Sequence, residues 1–205
     1  MEDTFIQLPL HLDPTSKAIT VPSASSNKAH QDELQALNIL HRSLLSLDTA
    51  VPPPPLPVNP KRTAQLTKMR EQGNASFRKG NNTEAIKLYT YGIEMALGRP
   101  PWEPAALVKD EVSAMYSNRA QAYMGMQCWA EGMVDADTSV EMKKIGNAKA
   151  WWRKGRCLVE MGRVEEAKEW VGRALEFEGN ESDLVGLMKE IEGVMVKKQG
   201  RSQVR

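Results

Sequence analysis

Lys149 and Arg153 stand four residues apart in the run Lys149-Ala150-Trp151-Trp152-Arg153-Lys154-Gly155. On a helix that spacing puts both cations on one face, while Trp151, Gly155 and Leu158 gather on roughly the opposite face. The cations are displayed and the aromatic is buried. Arg70 and Asn74 repeat the four-residue spacing, and Asn118 lies within Tyr116-Ser117-Asn118-Arg119-Ala120. Packing asks for none of these five, because Met69, Gly73, Tyr116, Ala120, Trp151 and Gly155 already supply the helix contacts. Three fixed cations and two carboxamides converging in one hollow would recognise negative groups by charge-assisted hydrogen bonds.

The elements that must bring them together form a repeat. Trp151-x-x-x-Gly155-x-x-Leu158 followed by Ala167 and Val171 resembles the tetratricopeptide (TPR) helix-turn-helix pattern. Met69, Gly73, Phe77, Gly80, Ala85 and Tyr89 form a first unit, and Tyr116, Ala120, Tyr123, Gly132 and Ala136 a second. Trp151, Gly155, Leu158, Gly162, Ala167 and Val171 form the third. Gly73 to Ala120 and Ala85 to Gly132 are both 47 residues, while Ala120 to Gly155 and Gly132 to Ala167 are both 35, so the units share one frame. The first interval exceeds the usual ~34, and the excess falls at Gly98-Arg99-Pro100-Pro101-Trp102-Glu103-Pro104, where prolines break helix and Pro104 can open the next. Leu184, Leu187, Met188, Ile191 and Met195 then make one apolar stripe after N-cap candidates Asn180 to Asp183, as the helix that must cover the last open groove of a stack. Lys197 to Arg205 reads as a frayed basic tail.

Upstream, Ile6, Leu8, Leu10 and Leu12 alternate with polar residues or proline, and Ile19 and Val21 resume the period after Asp13-Pro14-Thr15-Ser16, which reads as a short hairpin with Pro9 on an edge strand. Gln31 to Leu47 places Leu34, Leu37, Leu40, Leu44 and Leu45 at helical spacing. A head of this size buries too little surface to be self-sufficient, so it docks either on its own repeat domain or on another protein. Val51 to Pro60 is proline-rich and suits a stiff spacer. The expected fold is therefore mainly α: a right-handed superhelix of three TPR repeats plus a capping helix, preceded by a small α+β head. The expected boundaries are 1–50 for the head, 51–65 for the linker, 66–179 for the repeats, 180–199 for the capping helix and 200–205 for the tail.

Composition narrows the function. The 205 residues are 41% hydrophobic and 26% charged, and a net charge of +1 excludes a global nucleic-acid footprint. No window approaches a membrane span, and acids near Met1 argue against a signal peptide, so membrane association is expected through a partner. Cys128 and Cys157 read as two buried thiols within helices in a reduced setting. His11, His30 and His41 lack zinc spacing, and no phosphate loop or nucleophile turn occurs, so no metal, cofactor or catalytic residue is expected. Trp102, Trp129, Trp151, Trp152 and Trp170 read as packing residues in helices, Glu165-Glu166 and Glu176-Phe177-Glu178 as solvated faces, and Asn82-Thr83-Glu84 as a helix start.

Arg70-Glu71-Gln72-Gly73-Asn74, Ser117-Asn118-Arg119-Ala120 and Lys149 to Gly155 resemble the two-carboxylate clamp of co-chaperone TPR domains, over about residues 61–179. That resemblance implies that Arg70, Asn74, Asn118, Lys149 and Arg153 bind the C-terminal Glu-Glu-Val-Asp of a heat-shock chaperone. The chemistry fits, since a C-terminal Asp carries both a side-chain and a main-chain carboxylate. Each charge-assisted bond contributes roughly 1.5–3 kcal/mol before desolvation, consistent with roughly micromolar affinity, about −8 kcal/mol. Two departures bear on which chaperone is preferred. Arg70 replaces the usual Lys, and Gly125-Met126-Gln127 replaces Lys-Leu-Gly, removing an accessory cation.

The proline-rich stretch with Lys61-Arg62-Thr63-Ala64-Gln65, the head and the three-repeat domain together resemble the small cytosolic TPR subunit of the fungal post-translational translocation complex of the endoplasmic reticulum. This implies a non-catalytic adaptor, peripheral on the cytoplasmic face and held through its head by a small membrane-anchored subunit. It would recruit precursors carried by a seventy-kilodalton-class chaperone. The alternatives are a co-chaperone of the ninety-kilodalton class, a scaffold binding internal segments of a partner, and a regulatory subunit of an enzyme.

Overall fold

Asp13 begins the turn of a hairpin by accepting from the backbone N–H groups of Thr15 (2.9 Å) and Ser16 (2.6 Å), bonds that hold its carboxyl below the usual range, Ser16 first. The computed structural model describes residues 9–22, 27–47, 58 and 60–203, with side chains as far as 197. Two units divide at Pro57 and Val58.

In the first unit β1 (His11–Leu12) pairs antiparallel with β2 (Ile19–Thr20), with Leu12 opposite Ile19. These strands are shorter than the alternation suggests, because Leu10 precedes β1 and Val21 lies beyond β2; the part of the alternation at Ile6 and Leu8 lies outside the described residues. Helix α1 (Lys28–Leu45) is capped by Asn27, whose side chain accepts from His30 N–H. Asn38 ties helix to hairpin by pairing with the Ile19 backbone as another strand would. Its Oδ1 accepts from Ile19 N (2.8 Å) and its Nδ2 donates to Ile19 O (2.8 Å). No residue of α1 is buried. Leu10, Leu12, Ile39 and Leu45 are each more than half exposed, as expected of a unit too small to enclose its apolar face.

The second unit runs α2 (Pro60–Arg78), α3 (Asn82–Leu97), α4 (Ala105–Gly125), α5 (Trp129–Met142), α6 (Ala148–Glu160), α7 (Val164–Glu178) and α8 (Ser182–Gln203), each helix packed on the next. This is the expected mainly α architecture of three helix-turn-helix repeats and a capping helix. Small residues sit where helices cross: a Cβ on Gly155 would lie 2.7 Å from Val171 and 2.9 Å from Leu187. Around that crossing Trp151, Leu158, Val171, Leu184, Leu187 and Ile191 form one core, with the Trp151 and Trp170 rings 4.4 Å apart. Leu66, Ala85, Tyr89, Ile93, Val112 and Met115 form another under the first repeat.

Several expectations are corrected. Helix α2 begins at Pro60, inside the stretch assigned to the linker, because a proline at the first helical position lacks only an N–H that has no helical partner there. The extra residues of the first interval do split between a loop and α4, which has 21 residues against 13 in α6. Trp102 lies in that loop rather than in a helix. The loop is pinned by Arg99, whose side chain is 1% exposed and which pairs with Glu103 and, through two donors, with Glu111 (2.7 and 2.8 Å). Cys128 is half-buried at the N-cap of α5, outside the helix, while Cys157 is buried. The tail expected to fray from Lys197 continues α8 as far as Gln203.

Candidate peptide-binding cleft

The first helices of the three repeats, α2, α4 and α6, wall a cleft of about 770 Å³. Arg70, Asn74, Asn118, Lys149 and Arg153 all line it. The four-residue steps on α2 and α6 aim each pair from one helix face, and Asn118 reaches in from α4 between them. Neighbouring cations point elsewhere for reasons visible in their partners. Arg119 forks onto Asp135 (2.7 and 2.8 Å), Lys154 pairs with Asp137 (2.7 Å) while lying over the Trp170 ring, and Arg156 forks onto Glu190 (2.7 Å).

Arg153 is the most constrained of the five. Its Nε donates to Gln121 Oε1 (2.9 Å) and its Nη1 donates to Ser117 Oγ, which fixes the guanidinium plane and leaves the remaining N–H groups unused by those bonds. The buried Arg99 and the half-buried Arg119 have carboxylate partners; Arg153, Arg70 and Lys149 form no ion pair among the described residues. Burial without a counter-charge pushes Arg153 down to about 10, still cationic at neutral pH, with the Tyr89 hydroxyl acting in the opposite direction. A carboxylate entering here meets a half-buried charge whose guanidinium plane is already held in place.

The carboxamides are also fixed. Asn74 Oδ1 accepts from the Tyr89 hydroxyl (2.6 Å) and from Asn118 Nδ2 (3.1 Å), and among the described residues both Asn74 N–H donors stay uncommitted. The lining is mixed in sign, because Glu71, Glu178 and Glu181 also border the cleft. Glu178 is not the solvated residue expected: half-buried, it accepts from Asn147 N–H (2.7 Å) and holds the turn that starts α6. Asn147 itself donates to Ser139 O (3.1 Å), Ser139 Oγ (3.0 Å) and Lys143 O (2.9 Å), locking that turn to α5 one residue before α6 begins. A second cleft of about 470 Å³ adjoins between α6 and α8, sharing Lys149, Arg153 and Glu181 and adding Trp152 and Leu187.

Tyr89, Ser117, Gln121, Asn147 and Glu178 touch the expected five or set their helix, although none of them was expected at the site. The frame does mark Tyr89, four residues after Ala85, but only as a packing position. Gly125, where the resemblance expects a cation, is directed at another helix: a Cβ there would meet Asn82 Nδ2 at 2.8 Å. Among the described residues no three His, Cys, Asp or Glu gather where they could hold a metal ion, and no helix is long and apolar enough to cross a membrane.

Residues 148–181 match the tetratricopeptide repeat family model. The chain is 31% identical over 162 residues to the ER protein translocation subcomplex subunit sec67 of Schizosaccharomyces pombe, covering 76% of this chain and 84% of that one. In fold it is similar to a chain of the Sec complex from Saccharomyces cerevisiae, with a TM-score of 0.71 and 24% identity over 93% of this chain and 99% of that one. It is also similar to the first TPR of Spaghetti (RPAP3) bound to the HSP90 peptide SRMEEVD, with a TM-score of 0.54 and 25% identity over 65% of this chain and 94% of that one.

Proposed function

Since the chain belongs to the family of the endoplasmic-reticulum translocation subunit sec67, we propose that it is a non-catalytic adaptor of post-translational translocation. Its cleft holds the C-terminal Glu-Glu-Val-Asp of a cytosolic seventy-kilodalton-class chaperone and so brings a chaperone-carried precursor to the channel. The observation that carries this reading is the convergence, in one cleft, of two oriented carboxamides with three cations that lack carboxylate partners among the described residues. A chain's last Asp answers that set with two carboxylates, and Arg153 loses its uncompensated burial when one arrives.

The head, residues 1–50 in this reading, binds a small membrane-anchored subunit at the cytoplasmic face of the endoplasmic reticulum. The exposed Leu10, Leu12, Ile39 and Leu45 support this by offering apolar surface that α1 and the hairpin leave open. Residues 51–65 join head to repeats, with their last turns already in α2.

A second reading, a tail of the ninety-kilodalton class, is favoured by the likeness to a TPR bound to an HSP90 peptide. Competition between peptides ending in Ile-Glu-Glu-Val-Asp and Met-Glu-Glu-Val-Asp separates the two. The adaptor itself is tested on microsomes carrying the full chain. They should retain the seventy-kilodalton chaperone, and excess free Ile-Glu-Glu-Val-Asp peptide should release it while the amidated peptide does not. Retention indifferent to the free peptide would overturn the proposal.

A further inference from the structure

A carboxamide is an ambiguous ligand for an anion, because one end accepts hydrogen bonds and the other donates them. Turned one way, Asn74 offers two N–H donors to a carboxylate; turned the other, it offers an oxygen that repels it. Arg70, Lys149 and Arg153 line the same cleft, and a cation beside a carboxamide attracts its oxygen, which is the wrong orientation for an anion. Something outside the cleft has to hold Asn74 with its donors free.

We propose that Tyr89 is the positioning residue of this site, delivered from the outer helix α3 through the gap left by Gly73 to fix the orientation of Asn74 and, through it, of Asn118. The inference rests on the clamp reading and concerns a residue that does not itself line the cleft.

The route is specific. Tyr89 is 1% exposed, and a Cβ on Gly73 would lie 2.5 Å from its Cε1, so only a glycine lets the ring pass beneath α2 at that point. The ring's hydroxyl then meets Asn74, the next residue along, and donates to Oδ1 at 2.6 Å. Asn118 Nδ2 donates to the same oxygen at 3.1 Å, so both acceptor positions of that oxygen are filled. Flipping Asn74 alone would set its N–H groups against those of Asn118. Flipping both would leave the Tyr89 proton without this acceptor in a buried place, which is costly. Burial raises the Tyr89 pKa despite the lowering influence of Arg153 and Arg78, so the hydroxyl remains a donor at every physiological pH. The result is three directed N–H groups, two from Asn74 and one from Asn118.

The test uses the full-length chain and a fluorescent peptide ending in Ile-Glu-Glu-Val-Asp, with a free or an amidated C-terminus. Tyr89→Phe keeps the ring in its gap and removes only the hydroxyl. It should weaken binding of the free-acid peptide by about tenfold, the scale of one charge-assisted hydrogen bond, and leave the residual binding of the amidated peptide unchanged. In an Asn74→Ala background the same substitution should cost nothing further, because its effect passes through Asn74. A merely structural role would cost as much in that background and would weaken both peptides alike. Wild-type affinity in Tyr89→Phe, or an additive loss with Asn74→Ala, overturns the proposal. If amidation still abolishes binding in those cases, the clamp stands without it. If amidation changes nothing in the wild type, both fall together.

Discussion

Arg153 concentrates the conflict between stability and recognition. It is a half-buried cation with polar but no anionic partners among the described residues, and burial is what lowers it to about 10. The protonated form is the disfavoured one, so at neutral pH the free, folded protein carries the full penalty, relieved only as pH rises past that value. Arg153→Met is therefore expected to raise the free energy of unfolding by about 1–3 kcal/mol, read by urea titration, while removing tail binding. A loss of stability beyond about 1 kcal/mol would mean that the bonds to Ser117 and Gln121 outweigh the buried charge. The five lining residues were legible in the sequence because helical periodicity assigns faces without tertiary knowledge. Tyr89, Ser117 and Gln121 were not, because hydrogen bonds between residues 15 and 36 apart depend on how helices cross.

At the scale of elements, the shared frame reaches into the turns. Gly80, Gln127 and Gly162 occupy equivalent positions, and all three adopt positive φ, at 78°, 60° and 76°. Glycine takes that conformation freely, whereas a side chain there costs roughly 1–2 kcal/mol. Gln127→Gly should therefore stabilise the protein by about 1 kcal/mol, seen as a melting temperature raised by roughly 2–4 °C; an unchanged melting temperature would show that the Gln127 side chain compensates locally. Spacing revealed the frame, but it could not reveal that the second repeat keeps the backbone geometry without the glycine. The proline-broken loop was likewise visible as an interruption, while its anchoring was not. Arg99 finds Glu111 across 12 residues and Thr63 across 36, and no local pattern encodes those partners.

On the scale of the whole molecule, the two units divide the work in the proposed adaptor: the repeats recognise a chain end and the head provides attachment. The apolar alternation and leucine spacing of the head were legible as a hairpin and a helix. Its Asn38 tie to Ile19 was not, because a side chain replaces a backbone partner there. A chain beginning at Val58, where the second unit starts, should bind the tail peptide as the full chain does yet no longer sediment with microsomes. Undiminished sedimentation would move the attachment into the repeats. All of this depends on the cleft reading a free carboxyl terminus. Calorimetric titration of the wild-type chain with Ile-Glu-Glu-Val-Asp peptide, beside its C-terminal amide and beside Arg153→Ala, addresses that directly. Dissociation constants near micromolar for the free acid, with the amide and the variant each weaker by tenfold or more, are expected; equal affinity across the three would contradict recognition by the clamp.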